Sequence, residues 1–173
     1  MLIILNEIKA TIKAMQMHPE SFDVQFRALF ALINLVVPCG KPQDLIYAKA
    51  NSEFKTEKEV LDNNMTEIVR LVLCAMKNFC SSETILNRAC LVLHNIAQNR
   101  EYLGTLLWTP HCYQMIEWCI VNYPTDQVLR RSAVSVLHRL QVFLSESETL
   151  RIRFRESIRS EQQLPLANAG AEQ

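Results

Sequence analysis

Apolar residues recur at helical spacing in three separate stretches of the chain. Val24, Ala28, Leu32 and Leu35 form the first, Ile85, Ala89, Leu93 and Ile96 the second, and Leu129, Ala133, Leu137 and Leu140 the third. Steps of three and four residues place each set on one face of an α-helix. The three stretches also superpose without gaps. Moving 61 positions along from the first gives the second, and moving 44 more gives the third. The match extends to the preceding segments, Ala14-Met-Gln-Met-His-Pro19, Ala75-Met-Lys-Asn-Phe-Cys80 and Cys119-Ile-Val-Asn-Tyr-Pro124. Each window therefore predicts a helix pair joined by a tight turn. The first helices are expected over 3–17, 65–79 and 112–123, and the second over 22–36, 83–97 and 126–144. Pro19 and Pro124 punctuate two turns, because proline cannot continue the preceding helix. Ser82, just before Glu83, suits the cap of the middle pair's second helix.

A period of 44 residues belongs to armadillo or HEAT units. No segment combines sustained strand alternation with hairpin turns. The expected fold is all-α, a right-handed helical-repeat solenoid of about three repeats plus a C-terminal helix. It occupies 1–160, with repeat cores at about 5–36, 65–97 and 112–144. Arg100 to Leu107 reads as the short first helix of a repeat unit. The longer first interval carries about 17 additional residues, which predict an inserted loop over 38–63. Within it, Thr56-Glu-Lys-Glu59 fits a capping box that opens a helix towards Leu73. A second box, Ser145-Glu-Ser-Glu148, is expected to start the C-terminal helix, and 161–173 reads as a disordered tail.

Composition narrows the functional classes. Among 173 residues, 18 Lys plus Arg balance 18 Asp plus Glu, which argues against a general phosphate-neutralising role. The three glycines, Gly40, Gly104 and Gly170, are too dispersed for a phosphate-cradling loop or a dinucleotide fingerprint. The opening apolar run ends after five residues and lacks a basic flank, unlike a secretory signal. No apolar run approaches the ~18 residues of a membrane span. The six cysteines include no Cys-x-x-Cys pair, and five lie in apolar helical stretches, so reduced, buried thiols in cytoplasm or nucleus are expected. No cofactor is expected. His111, Cys112 and Cys119 are too few and too widely spaced for a convincing zinc site, so no metal is expected either. No Gly-x-Ser-x-Gly or other nucleophile motif is present, and catalysis is not expected.

Val24-Gln-Phe-Arg-Ala-Leu-Phe-Ala-Leu-Ile-Asn-Leu35, followed by Leu73-Cys-Ala-Met-Lys-Asn-Phe79, resembles the armadillo region of the Zyg-eleven and Zer-one family. Gln114-Met-Ile-Glu-Trp118 and Arg131-Ser-Ala-Val134 continue the likeness, which covers about 5–143. The resemblance implies a substrate receptor of a cullin–RING ubiquitin ligase. Members of that family carry leucine-rich repeats and a cullin box, neither visible here, so ligase contact is expected through regions outside this chain. Some members read N-terminal glycine degrons with a tryptophan and a carboxylate. At the matching places this chain has Ile33 and Val37, or His94 and Gln98. An α-amino group needs a carboxylate to offset its lost hydration, so degron binding is not carried over.

The constant offsets define a candidate groove for a protein or extended peptide segment. Phe26, Asn87 and Arg131 are in register, as are Phe30, Leu91 and Ser135, and Asn34, Asn95 and Arg139. An asparagine amide can both donate to and accept from a peptide unit, and the phenylalanines offer an apolar anchor. Alternatively, the asparagines bond within the stack and the phenylalanines pack on a preceding repeat. A second candidate is the basic face Arg151, Arg153, Arg155 and Arg159, beside an apolar stripe of Leu150, Phe154 and Ile158 expected to dock on the third pair. That face suits an acidic ligand or nucleic acid, or is simply a solvated surface beside Glu148 and Glu156. With no net charge and no interleaved aromatics, nucleic acid is the less favoured partner. The apolar opening, Leu2, Ile3, Leu5 and Ile8, is expected to meet preceding repeats, a partner or a second copy end to end.

Overall fold

A computed structural model describes the backbone of residues 2–36 and 52–163, with side chains for 6–36 and 64–161. The elements run α1 (Leu2–Met17), α2 (Phe22–Leu35), α3 (Ser52–Asn78), α4 (Glu83–Ala97), a 3-10 turn (Arg100–Tyr102), α5 (Leu103–Trp108), α6 (Cys112–Asn122), α7 (Gln127–Ser145) and α8 (Glu148–Gln163). There is no strand among the described residues, and the molecule is all-α. All six helices expected from the repeat are present within a residue or two, except that α3 starts well before residue 65.

Local chemistry sets the helix starts. Ser82 accepts from the Ile85 N–H at 3.4 Å and caps α4. The Asp126 carboxylate accepts from the Val128 and Leu129 N–H groups, each at 2.9 Å, and starts α7 three residues after Tyr123 leaves helical geometry. At α6 the cap is unusual. His111 adopts φ 62°, left-handed, and its N–H donates to Glu161 on α8 at 3.2 Å.

The helices form two layers. The second helices α2, α4 and α7 pack side by side in chain order, while α1, α3, α5 and α6 make the other layer beneath them. Between the layers lie Leu29, Leu32, Ile68, Leu93, Ile96 and Leu106, all fully buried. Burying one such side chain stabilises by roughly 2 kcal/mol. Polar ties fix the turns. Gln25 is 2% exposed, yet its amide donates to the Met15 and His18 carbonyls at 3.0 and 2.9 Å, so the buried group is satisfied. Asn78 donates to the Pro19 carbonyl at 3.1 Å, and Tyr123 to the Cys80 carbonyl at 2.6 Å. Pro19 and Cys80 are equivalent repeat positions, so the same turn carbonyl is tied to the next unit each time, by an amide in one case and a phenol in the other.

Several expectations need correction. The 38–63 segment is not loop throughout, because α3 is a 27-residue helix beginning at Ser52; residues 37–51 lie outside those described. Thr56 therefore sits inside the helix instead of capping it. The charged residues of 53–62 are helix formers, and no proline or glycine interrupts them. The C-terminal box also shifts. Ser145 ends α7, bonding back to the Val142 carbonyl at 2.7 Å, and Ser147 accepts from the Leu150 N–H to begin α8. Helix α8 runs to Gln163, so the expected tail begins later than 161, and 164–173 lie outside the described residues. Cys90, Cys112 and Cys119 are buried thiols, but Cys74 is half-buried and Cys80 is exposed in a turn.

Candidate partner-binding face

The α2–α4–α7 layer exposes its outer face, and the candidate groove residues all lie on it. On α2, Phe26 is half-buried and stacks on Phe22, with centroids 5.7 Å apart and planes 15° apart. Phe22 in turn meets the Phe79 edge at 5.9 Å, which anchors the cluster to the end of α3. Phe30, one turn further along α2, is 56% exposed. The Arg88 guanidinium of α4 lies over both rings, 3.7 Å from the Phe26 centroid and 4.9 Å from that of Phe30. A cation over an aromatic face is attracted by the ring quadrupole, by about 0.5–1 kcal/mol near a surface.

The asparagines do different work from a peptide-reading ladder. Asn34 donates to the Phe30 carbonyl of its own helix at 3.0 Å. Asn87 donates to the Asp126 carboxylate at 3.0 Å, joining α4 to the cap of α7. Asn95 donates to the Ile33 carbonyl at 2.9 Å, joining α4 to α2. The amide donors are thus engaged within the fold, as the stack alternative has it. What α4 offers to solvent instead is Arg88, half-buried Leu91 and half-buried His94.

Arg88 is a residue that the repeat register did not single out, and His94 entered only as a departure from the degron-reading pattern. Arg88 is adjacent in sequence to Asn87, and only the crossing of α2 and α4 brings it over the phenylalanines. His94 Nε2 lies 3.1 Å from the Gln98 amide nitrogen, while its Nδ1 is buried and has no hydrogen-bond partner among the described residues. Burial first, then the charges of Arg139 and Arg131, hold the His94 imidazole below its ordinary range. On α7, Arg131 and Arg139 are exposed and Ser135 is half-buried. A shallow depression of about 490 Å³ is lined there by Gln127, Arg130, Arg131, Val134, Ser135 and His138.

The second candidate is set apart from this face. Helix α8 is anchored through Phe154, which meets Trp108 of α5 edge-on at 6.4 Å and Tyr113 of α6 at 5.2 Å. Leu150 also packs against the core, so two of the three stripe residues dock as expected. Glu161 completes the attachment by accepting from the Gln114 amide at 2.6 Å and from His111. The opposite side exposes Arg153, Arg155 and Arg159, whereas Arg151 is ion-paired with Glu148.

No group of three or more His, Cys, Asp or Glu among the described residues is arranged to hold a metal ion. His111 is exposed and faces Glu161, with Nδ1 3.5 Å from the carboxylate, while Cys112 and Cys119 point into the core. Burial, with the charge of Glu161, pushes the Cys112 thiol up to about 12, so it stays protonated at neutral pH. No described helix is long and apolar enough to cross a membrane. On α1, the exposed residues are mostly polar (Asn6, Glu7, Lys9, Lys13, Gln16), with Met17 a large apolar exception, while Ile8 and Ile12 are buried against neighbouring helices. Leu2, Ile3 and Leu5, on which an end-to-end contact would rest, have side chains outside those described. No protein-family model, curated protein or solved structure matches the chain significantly.

Proposed function

We propose that the chain is a non-catalytic protein-interaction module, an armadillo-like solenoid that uses its second-helix face to hold a segment of another protein. The observation that carries this reading is the Phe26–Phe30–Arg88 cluster on the outer face of α2 and α4, in which Phe30 is exposed. A large aromatic left more than half exposed, beside a guanidinium and above a closed core, is the usual composition of a contact centre. The three-fold register of the second helices, which continues this face into α7, supports an extended partner. The likeness of 5–143 to the Zyg-eleven and Zer-one armadillo region supports substrate or adaptor recognition within or beside a cullin–RING ubiquitin ligase, in cytoplasm or nucleus.

Capture from lysate with the wild-type chain and with Phe30→Glu, quantified by mass spectrometry, tests the reading. Phe30 is exposed, so the substitution leaves the core intact, which circular dichroism checks. A set of proteins depleted several-fold by Phe30→Glu is the expected result, and ligase subunits among the wild-type partners support the receptor role. An unchanged partner set overturns the groove. A partner set depleted by the substitution but devoid of ligase subunits leaves a binding module outside ubiquitination.

A further inference from the structure

The second helices carry charge mostly of one sign in this formally neutral chain. Past their first turns, α2, α4 and α7 contain no aspartate or glutamate at all, while carrying Arg27, Arg88, Arg130, Arg131 and Arg139. The sequence of the other layer mixes both signs instead: on α3, five carboxylates are interspersed with Lys55, Lys58, Arg70 and Lys77. Asp23 and Glu83 lie at the extreme starts of α2 and α4, and Asp126 is engaged with two helix N–H groups and Asn87. Among the described residues, none of the five arginines has a carboxylate within ion-pairing distance; elsewhere Arg70, Arg100 and Arg151 are paired and Arg153, Arg155 and Arg159 are not. Burial first, then the charges of Arg139 and Arg131 on the neighbouring helix, disfavour His94 as a cation.

We infer that this face docks an acidic peptide segment of a partner protein, with an apolar side chain against Phe26 and Phe30 and carboxylates meeting Arg88, Arg131 and Arg139. The inference rests on the interaction-module reading and names the chemistry of its partner. A guanidinium lying over an aromatic ring keeps its N–H edge available for a carboxylate in bidentate geometry. Neighbouring helices lie about 8–10 Å apart, and an extended chain rises about 3.3 Å per residue, so a peptide crossing the layer meets a new helix about every three residues. An acidic segment with a charge every third or fourth position therefore fits, and a basic segment is repelled along the whole face. Half-buried Leu91, exposed Val134 and exposed Phe30 lie among the cations. That mixture favours a peptide with alternating character over a nucleic-acid backbone, which requires a continuous cationic track.

The test pans a displayed library of random dodecapeptides against the intact chain and against two variants, the combined Arg88→Gln/Arg131→Gln/Arg139→Gln and Phe30→Ala. Folding of each is checked by circular dichroism and urea titration. The expected winners carry net negative charge, and a synthetic winner loses affinity about tenfold or more on the triple variant. Its binding also weakens as salt rises from about 50 to about 500 mM. Neutral or basic winners that still depend on Phe30 overturn the acidic assignment while leaving the groove standing. Winners indifferent to both variants, or no enrichment, overturn the groove itself. An oligouridylate that displaces the winner more effectively than free acidic peptide does would reassign the face to nucleic acid.

Discussion

Two asparagines show how much a single amide can hold at the residue scale. Asn87 reaches from α4 to Asp126, and Asp126 caps α7, so one carboxylate serves two helices. Asp126→Ala removes both roles and is expected to cost about 1–2 kcal/mol, read as a lower urea midpoint with an unchanged slope. Asn95→Ala removes one interhelical hydrogen bond and should cost about 1 kcal/mol in the same titration. His94 makes stability depend on pH. Its folded-state affinity for a proton is depressed from the ordinary 6.5 by burial and then by Arg139 and Arg131, so the unfolded chain takes up the proton first as pH falls. Its contribution is therefore complete above about 6.5 and is lost as pH drops below that, towards the folded value. Urea midpoints of wild type should fall more steeply between neutral pH and mildly acidic pH than those of His94→Gln. Parallel profiles would show that His94 is not the titrating group.

At the scale of elements, α8 and α3 are instructive. Helix α8 is rich in arginine and has little apolar surface, so its position depends on a few contacts, chiefly Phe154 between Trp108 and Tyr113 and the Glu161 cap on α6. Phe154→Ala should release the helix locally at a cost of about 2 kcal/mol, less than a fully buried phenylalanine would lose. Hydrogen exchange would then rise across 148–163, while protection of α4 stays at the wild-type level. Protection lost equally throughout would mean that α8 is integral to the core. The early start of α3 follows from the same local rules as α8. Charged helix formers extend a helix from a packed segment until a breaker intervenes, and polar composition alone does not mark a loop.

For the whole molecule, α4 is the central element, since it packs against α2, α3, α5 and α7. Leu93, fully buried on it, should cost about 2–5 kcal/mol on truncation to alanine, and the loss should appear as a single cooperative shift of the unfolding curve. A biphasic transition would show that the helix pairs at the two ends unfold independently, as a stack with nearest-neighbour contacts permits. The distribution of charge belongs to this scale too. A net charge of zero hides an outer layer that is cationic beyond its first turns, while the second layer mixes both signs.

The helices and turns were legible in the chain because their causes are local. Apolar spacing of three and four, a proline or serine at each turn, and a constant offset between windows suffice to place six helices and to put Phe26, Phe30, Leu91, Arg131 and Arg139 on one face. What those side chains do there depends on how the helices cross. Tertiary packing decided that Asn87 and Asn95 bond to neighbouring helices, that Arg88 lies over two aromatic rings, and that α8 docks on α5, α6 and α7. Periodicity follows from backbone geometry within a few residues, whereas a hydrogen bond from Asn95 to Ile33 requires two helices at a particular separation and rotation. That arrangement arises only when the whole core closes.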